Sequence, residues 1–144
     1  MSFGLNILLA DDNEDDVFLV KEAFKKAGVS SRIEIVRDGL EAVAYLEGKE
    51  PFSERATHPL PDVLLLDVNM PGMNGFEVLE WIRRDAPCKR LIVHMLTASS
   101  RPSDVERAYD FGANSYIVKT SRFQELVQFV KTLHEWHRFV SRCR

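Results

Sequence analysis

Five polar side chains that could carry out chemistry follow short apolar segments of this sequence. They are the carboxylates of Asp11, Asp12 and Asp67, the hydroxyl of Thr97 and the amine of Lys119. Short, continuous apolar segments are typical of buried strands in a parallel sheet. Because the carboxyl ends of parallel strands lie at one edge of the sheet, we expect these residues to converge there.

This set of groups suits a divalent cation and a phosphoryl group. Three crowded carboxylates repel one another unless a cation lies between them. Mg²⁺ prefers oxygen ligands and is commonly held by one or two carboxylates, water and phosphate. Lys119 would add a fixed positive charge, and Thr97 a hydroxyl donor. Asp67 is the best candidate nucleophile, because its attack on a phosphoryl donor would form an acyl phosphate.

The rest of the sequence alternates strand patterns with helix patterns. The predicted strands are Leu5–Ala10, Arg32–Arg37 at an edge, Val63–Leu66 at the centre, Leu91–Leu96 and Ser115–Val118. The predicted helices are Asp16–Ala27, Leu40–Leu46, Gly75–Arg84, Pro102–Phe111, and a long last helix that a capping box of Ser121 and Gln124 opens and that runs towards Val140. This (βα)₅ alternation predicts an α/β fold in which helices cover both faces of a parallel sheet.

The composition indicates one globular domain and excludes several classes of protein. We expect residues 1–144 to form a single domain, which leaves no room for an attached output domain. A net charge of −3 argues against a nucleic-acid surface. The apolar segments are far shorter than the ~20 residues of a membrane span. We see no signal peptide, and we interpret Cys88 and Cys143 as reduced thiols, which together predict a cytoplasmic protein.

Four segments of the sequence resemble the receiver domain of two-component response regulators. These segments are Leu8–Asn13, Leu64–Gly75, Leu96–Ala98 and Tyr116–Lys119. The resemblance covers roughly residues 4–135, followed by a C-terminal helix extension of about residues 134–144. It implies a flavodoxin-like three-layer sandwich with a five-stranded parallel sheet in the order 2-1-3-4-5.

Asp15–Asp16 and the inserted loop Lys49–Pro61 also resemble the small regulators paired with phytochrome-type histidine kinases. The resemblance therefore implies two partners, a sensor histidine kinase and an unknown downstream protein, and the narrower match implies a kinase of the phytochrome type. No nucleic acid and no membrane partner are implied.

The resemblance assigns a role to each residue of the site. Asp67 would be the phosphoacceptor. Asp12 would bind Mg²⁺ directly, with Asp11 helping directly or through water, and Asp67 and the backbone carbonyl of Asn69 would be the other ligands. Lys119 would pair with the phosphoryl group.

A switch and a tuning pair complete these implied roles. Thr97 would move inward to bond the phosphoryl group, and Tyr116 would change rotamer to fill the space left behind. The surface of the fourth helix, fifth strand and fifth helix would carry the signal to another protein. Asn69 and Ser99 would flank the attacking water and tune self-dephosphorylation. Beyond that reaction and self-phosphorylation from small donors, no enzymatic activity is implied.

One position departs from the family pattern. Thr120 follows Lys119 where the family usually has a proline, and many members have a cis bond there. A cis bond before a non-proline residue costs about 3–4 kcal/mol. The sequence therefore leaves open whether the Lys119–Thr120 bond is cis or trans.

Other functions remain as alternatives. A haloacid-dehalogenase-like phosphatase shares the aspartyl-phosphate chemistry, but its nucleophile follows the first strand. A flavodoxin-like cofactor binder needs a hydroxyl- and glycine-rich phosphate loop where this chain has Asp11 and Asp12. The acidic run could also be a solvated helix start, or a calcium loop, although Asp16 stands where that loop requires glycine.

The last helix predicts an interface. Beyond Leu133 it extends past the sheet and would expose Trp136, Phe139 and Val140, and exposed aromatic residues of this kind usually mark a contact surface. We therefore expect a homodimer through the C-terminal helix region. His134 and His137 lie one turn apart and could bind a metal, but we expect them on a solvated helix face.

Overall fold

A computed structural model of the chain describes residues 4–140. The strands are β1 (Leu5–Ala10), β2 (Ser31–Val36), β3 (Val63–Leu66), β4 (Ile92–Thr97) and β5 (Ser115–Val118). The helices are α1 (Glu14–Ala27), α2 (Gly39–Glu47), α3 (Gly75–Arg84), α4 (Pro102–Asp110) and α5 (Phe123–His137). All neighbouring strands are parallel, and their order is β2-β1-β3-β4-β5. The predicted fold class and strand order are confirmed.

The sheet separates two hydrophobic cores, which makes the fold a three-layer sandwich. One core joins α2, α3 and α4 to one face of the sheet, and the other joins α1 and α5 to the opposite face. Every residue of β3 and β4 is buried, which explains why their sequences are apolar without alternation. The edge strands β2 and β5 are only partly buried. The uninterrupted apolar sequence of β3 therefore agrees with its position in the middle of the sheet.

Polar caps set the ends of the first helices. The side chain of Asn13 accepts a hydrogen bond from the backbone of Asp16 and begins α1, which ends at Gly28 with φ +70°. In α5 the predicted capping box is wrong, because Arg122 occupies the N-cap position without a side-chain bond. The Thr120 hydroxyl instead accepts a bond from the Arg122 N–H at 3.0 Å and donates to the Glu125 carboxylate at 3.2 Å, which ties the segment before α5 to its first turn.

The end of α5 differs from the sequence-based expectation. The helix ends at His137 rather than at Val140. His137 is 1% exposed, so its assignment to a solvated face is wrong. The reason is helical register: His137 lies four residues after the buried Leu133 and continues the stripe that faces the sheet. Val140 is partly buried against the same core, whereas Phe139 is exposed as expected.

The inserted loop between α2 and β3 packs back onto α2. The Arg55 guanidinium donates to the carbonyls of Tyr45 at 2.9 Å and Leu46 at 3.0 Å, which satisfies the free end of the helix. Tyr45 is 1% exposed, and its hydroxyl donates to the Pro59 carbonyl at 2.8 Å. The loop therefore forms part of the folded domain rather than a loose excursion.

The cysteines differ from the sequence-based expectation. Cys88 is disulfide-bonded, so its interpretation as a reduced thiol is wrong, while Cys143 lies outside the described residues. None of the helices between residues 4 and 140 is long and apolar enough to cross a bilayer.

A buried histidine joins β4 to the last turn of α5. His94 is 6% exposed, and its Nδ1 lies 2.5 Å from the Ser115 hydroxyl. Its ring contacts those of Trp136, at 5.6 Å between centroids, and His137, at 6.1 Å. Burial, with a smaller contribution from His137, lowers the pKa of His94 to about 4. The folded protein therefore holds this imidazole neutral.

The depressed pKa of His94 predicts a loss of stability in mild acid. Below pH ~6.5 the unfolded chain protonates this histidine, whereas the folded chain does so only near pH 4, so stability falls between these values. From pH 7 to pH 5 we expect this residue to contribute about 2 kcal/mol of that loss. Urea unfolding of wild type and His94→Gln at both pH values measures the difference. Equal pH dependence in the two proteins would contradict this expectation.

Candidate functional site

The register of β1 against β3 brings two carboxylates together. Ala10 pairs with Leu66, so Asp11 and Asp67 leave the sheet side by side. The backbone N–H of Asp67 donates to the Ala10 carbonyl at 3.0 Å, which extends the ladder to the site itself. Asp11 is fully buried and Asp67 is 6% exposed. Both side chains are thus held at the same edge of the sheet, as predicted.

The register of β4 against β5 brings the amine to the same edge. Thr97 pairs with Val118, and the Lys119 N–H donates to the Thr97 carbonyl at 2.7 Å. The only cis peptide bond recorded within residues 4–140 is Glu50–Pro51. The bond from Lys119 to Thr120 is therefore trans, and the amine reaches the site without the strain of a cis bond.

Lys119 lies among three carboxylates. Its Nζ is 2.8 Å from Asp11 Oδ2, 2.8 Å from Asp16 Oδ2 and 2.9 Å from Asp67 Oδ2. The lysine side chain is 15% exposed, whereas that of Asp16 is 33% exposed. An ammonium group has three N–H donors. Two of these donors form hydrogen bonds to Asp16 and Asp67, whereas the contact with Asp11 is an ion pair in which the buried Asp11 Oδ2 accepts no hydrogen bond.

Burial and charge act against each other in this cluster. Burial by itself lowers the pKa of Lys119, but its contacts with Asp11, Asp16 and Asp67 outweigh burial and raise that pKa above the ordinary value. Burial raises the pKa of Asp11, and the ammonium of Lys119 and the hydrogen bond from the Asn13 N–H oppose the rise. The amine is a permanent positive charge, and the buried Asp11 carboxylate is costly to ionise without a further cation.

The carboxylates also form a cluster that could hold a metal ion. Asp11, Asp12 and Asp67 each offer an oxygen, and these oxygens lie within 4.8 Å of one another. Asp12 is exposed, which leaves one side of the cluster open to solvent and to a ligand. Carboxylate oxygens with an open side match the preference of Mg²⁺ for hard ligands and retained water. These residues therefore fit a divalent cation.

The turn after β3 is built around the backbone of Asp67. The Gly75 N–H donates to the Val68 carbonyl at 2.8 Å. A Cβ atom at Gly75 would lie 2.2 Å from the Asp67 carbonyl oxygen, so only glycine allows this approach. Asn74 and Glu77 form a reciprocal capping box that begins α3. The exposed Asn69 directs its N–H to Asp67 Oδ1 at 3.3 Å.

The remaining predicted site residues lie in a second layer beside the carboxylates. Thr97 is fully buried at the end of β4, and its hydroxyl accepts a long 3.5 Å bond from the Ser99 N–H. The half-buried Tyr116 donates its hydroxyl to the Ser99 carbonyl at 2.8 Å. Ser99 Oγ lies 2.5 Å from Asp104 Oδ2. The structure thus links Thr97, Tyr116 and Ser99 to one another through the β4–α4 loop.

Asp16 and Asp104 are members of the site region that we did not identify as functional from the sequence. The Lys119 contact of Asp16 spans 103 positions, so no local pattern reveals it. The sequence does show that Asp16 is the last of three acidic residues in the first turn of α1, directly after the predicted site, and this position could have marked it as a candidate. Asp104 stands in the first turn of α4, and its contact with Ser99 depends on how the preceding loop folds.

Comparison with known proteins identifies the family of this chain. The response regulator receiver domain family matches residues 7–131. The probable methanogenesis regulatory protein FilR2 of Methanothrix harundinacea is 36% identical and aligns over 94% of this chain and 93% of its own length. Response regulator Rcp1 of Synechocystis is 34% identical over 90% of this chain and 86% of its own length.

Solved structures agree with this family. The phosphorylated cyanobacterial phytochrome response regulator RcpA has a TM-score of 0.85 and 34% identity, covering 98% of this chain and 99% of its own. The Mn²⁺-bound form of Rcp1 has a TM-score of 0.83 and 32% identity, covering 97% of this chain and 99% of its own. Receiver domains bind a divalent metal and take phosphoryl groups from histidine kinases. The paired acids, the acceptor carboxylate and the lysine at one edge of a (βα)₅ sheet agree with these matches, and the chain belongs to the receiver domain family of two-component response regulators.

Proposed function

We propose that Asp67 is the phosphoacceptor of this response regulator. The observation that carries this proposal is the position of Lys119 Nζ, 2.9 Å from Asp67 Oδ2 and 2.8 Å from Asp11 Oδ2, at the end of the central strand. A carboxylate oxygen of Asp67 attacks the phosphorus of a phosphohistidine. The P–N bond breaks, its electron pair returns to the imidazole, and an acyl phosphate forms on Asp67.

Charge balance is the main contribution of the surrounding residues. Asp11, Asp12, Asp67 and the backbone carbonyl of Asn69 would hold Mg²⁺, which would neutralise the incoming phosphoryl oxygens when it is bound. Lys119 holds a second positive charge beside the reacting carboxylate and is available to the phosphoryl oxygens. The fixed turn after β3 keeps Asp67 in place, so catalysis consists of positioning and electrostatics.

The β4–α4 loop is the proposed switch. Thr97 bonds the phosphoryl group, and Tyr116 is already bonded to Ser99 in the same loop at 2.8 Å. A shift of Thr97 towards the phosphoryl group therefore reaches the surface of α4, β5 and α5 through this loop, where a downstream protein would bind. Such a charge-driven change biases an equilibrium between two arrangements. Asn69 and Ser99 border the acceptor and would tune self-dephosphorylation, the only other reaction that we propose besides self-phosphorylation.

The relatives of this chain support a proposal about the kinase that phosphorylates it. Because RcpA is a phytochrome response regulator, we propose a phytochrome-type histidine kinase as the donor. We also propose that the chain acts in the cytoplasm as a single receiver domain over residues 1–144, with a core of about residues 4–135. The C-terminal extension of about residues 134–144 would add to the contact surface; its last residues lie outside those that the structure describes.

A homodimer is the proposed assembly. Exposed apolar side chains on α4, β5 and the end of α5 form what we term the C-terminal surface: Tyr109 at 49%, Val118 at 42%, Trp136 at 43% and Phe139 at 82% exposure. Exposed apolar residues grouped on neighbouring elements usually mark a contact surface. Association of two copies through this surface would remove these side chains from water.

Phosphorylation of Asp67 is tested by intact mass after incubation with acetyl phosphate and Mg²⁺. We expect one added phosphoryl group on the wild type, because the acceptor, the acidic cluster and Lys119 lie together. We expect none on Asp67→Ala or with a chelator. If the acyl phosphate is too short-lived to detect by mass, binding of beryllium fluoride, measured by calorimetry, serves as a second measurement. A wild type that neither gains mass nor binds beryllium fluoride contradicts the proposal.

The donor is tested with a purified phytochrome-type histidine kinase that has been autophosphorylated with labelled ATP. We expect label to move to the wild-type chain and not to Asp67→Ala, since transfer requires the acceptor carboxylate. A kinase of an unrelated sensor class is the control. Equal transfer from both kinases, or from neither, would argue against the phytochrome assignment.

The dimer is tested by sedimentation over a wide concentration range, with and without beryllium fluoride. We expect Phe139→Asp to weaken self-association at least about tenfold, because it places a charge in the apolar contact. Phe18→Asp is the control, since Phe18 is 61% exposed on α1, outside the C-terminal surface. A wild-type mass that stays monomeric at every concentration in both states would exclude the dimer.

A further inference from the structure

Asp16 contacts the site but stands outside the group of carboxylates that could hold a cation. Its Oδ2 lies 2.8 Å from Lys119 Nζ. The oxygens that converge on a metal position belong to Asp11, Asp12 and Asp67. A cation bound there would share the negative charge of Asp11 and Asp67. Within residues 4–140, the only ion pair of the Asp16 side chain is with Lys119.

The ion pair of Asp16 and Lys119 lies between the first turn of α1 and a small apolar cleft. Asp16 lies in the first turn of α1, where its own N–H donates to the capping side chain of Asn13 at 3.0 Å. Leu19, Leu96 and other apolar side chains line a small cleft beside Asp16 and Lys119. The Asp16 side chain is 33% exposed, so water weakens its attraction for the ammonium without removing it.

Asp16 and a phosphoryl group on Asp67 would both be attracted to the ammonium group of Lys119. Lys119 donates hydrogen bonds to Asp16 and Asp67 and forms an ion pair with Asp11. A phosphoryl group brings about 1.5 to 2 negative charges near neutral pH. The Asp16 carboxylate neutralises part of the lysine charge and repels the new anion. Both effects oppose phosphorylation.

Resting on the proposed phosphoacceptor role of Asp67, we infer that Asp16 is a positioning residue that competes with the phosphoryl group for Lys119. It holds the amine in the unphosphorylated state and limits how readily Asp67 accepts a phosphoryl group. The reaction itself is unchanged: an Asp67 oxygen attacks phosphorus, the P–O bond of acetyl phosphate breaks, and acetate leaves with the electron pair.

The test compares Asp16→Asn with a matched neighbour. Asp15→Asn removes the same charge from the same helical turn, at a residue that is exposed. With acetyl phosphate and Mg²⁺, we expect Asp16→Asn to be phosphorylated about three- to tenfold faster than wild type at low donor concentration. We expect beryllium fluoride to bind it more tightly by a similar factor. Asp15→Asn should stay within about twofold of wild type in both measurements.

A conservative variant separates charge from packing. Asp16→Glu keeps a carboxylate that can reach Lys119, so we expect it to remain closer to wild type than Asp16→Asn. A purely structural role would lower stability in urea without tightening beryllium fluoride binding. An unchanged or slower rate in Asp16→Asn overturns the inference, as does an equal rise in Asp16→Glu or Asp15→Asn.

The outcome for the wild type separates this inference from the proposed function. If the wild type is phosphorylated on Asp67 while Asp16→Asn behaves identically, only the role of Asp16 fails. If the wild type neither accepts a phosphoryl group nor binds beryllium fluoride, the phosphoacceptor role of Asp67 fails and the inference falls with it.

Discussion

The shared ammonium of Lys119 is the interaction on which the functional end of this molecule depends. It lies within 2.9 Å of oxygens from Asp11 and Asp16, at the junction of β1 and α1, and from Asp67, which follows β3. Removing one partner of a buried ion pair typically costs about 3–5 kcal/mol, because the other charge is left uncompensated. The lysine therefore both stabilises the resting site and occupies the position from which it can meet a phosphoryl group.

The sheet holds these charged side chains together at an edge that faces solvent. β1, β3 and β4 are buried between two helical layers, and their register places the end of each strand at the same edge. A parallel sheet of this kind exposes its carboxyl ends to solvent while its body stays dry. The charges thus sit on a rigid platform, and the tight approach of Gly75 to the Asp67 carbonyl fixes the acceptor further. Rigid placement is what electrostatic catalysis requires.

Beside the charged cluster, the β4–α4 loop connects the edge of the sheet to the surface of α4 and β5. Tyr116 bonds the backbone of Ser99, and Ser99 contacts Asp104 in the first turn of α4. The carboxylate cluster and the residues of the proposed switch thus share the β4–α4 loop. In the proposed switch, the negative charge of a phosphoryl group on Asp67 would shift this loop between two arrangements by changing its hydrogen bonds.

Much of this protein is readable from sequence because its determinants are local. Apolar segments and helical periodicity defined the ten elements, several of them to the residue, and the acids and the lysine were placed by the strands that precede them. Tertiary structure decided three features: the contact of Asp16 with Lys119, the burial of His137, and the start of α5 after Arg122 without the expected capping box. Each depends on how an element is rotated or where its first turn begins relative to a distant partner. Such placements carry no periodic signal, because the contacts that determine them exist only once the layers have packed.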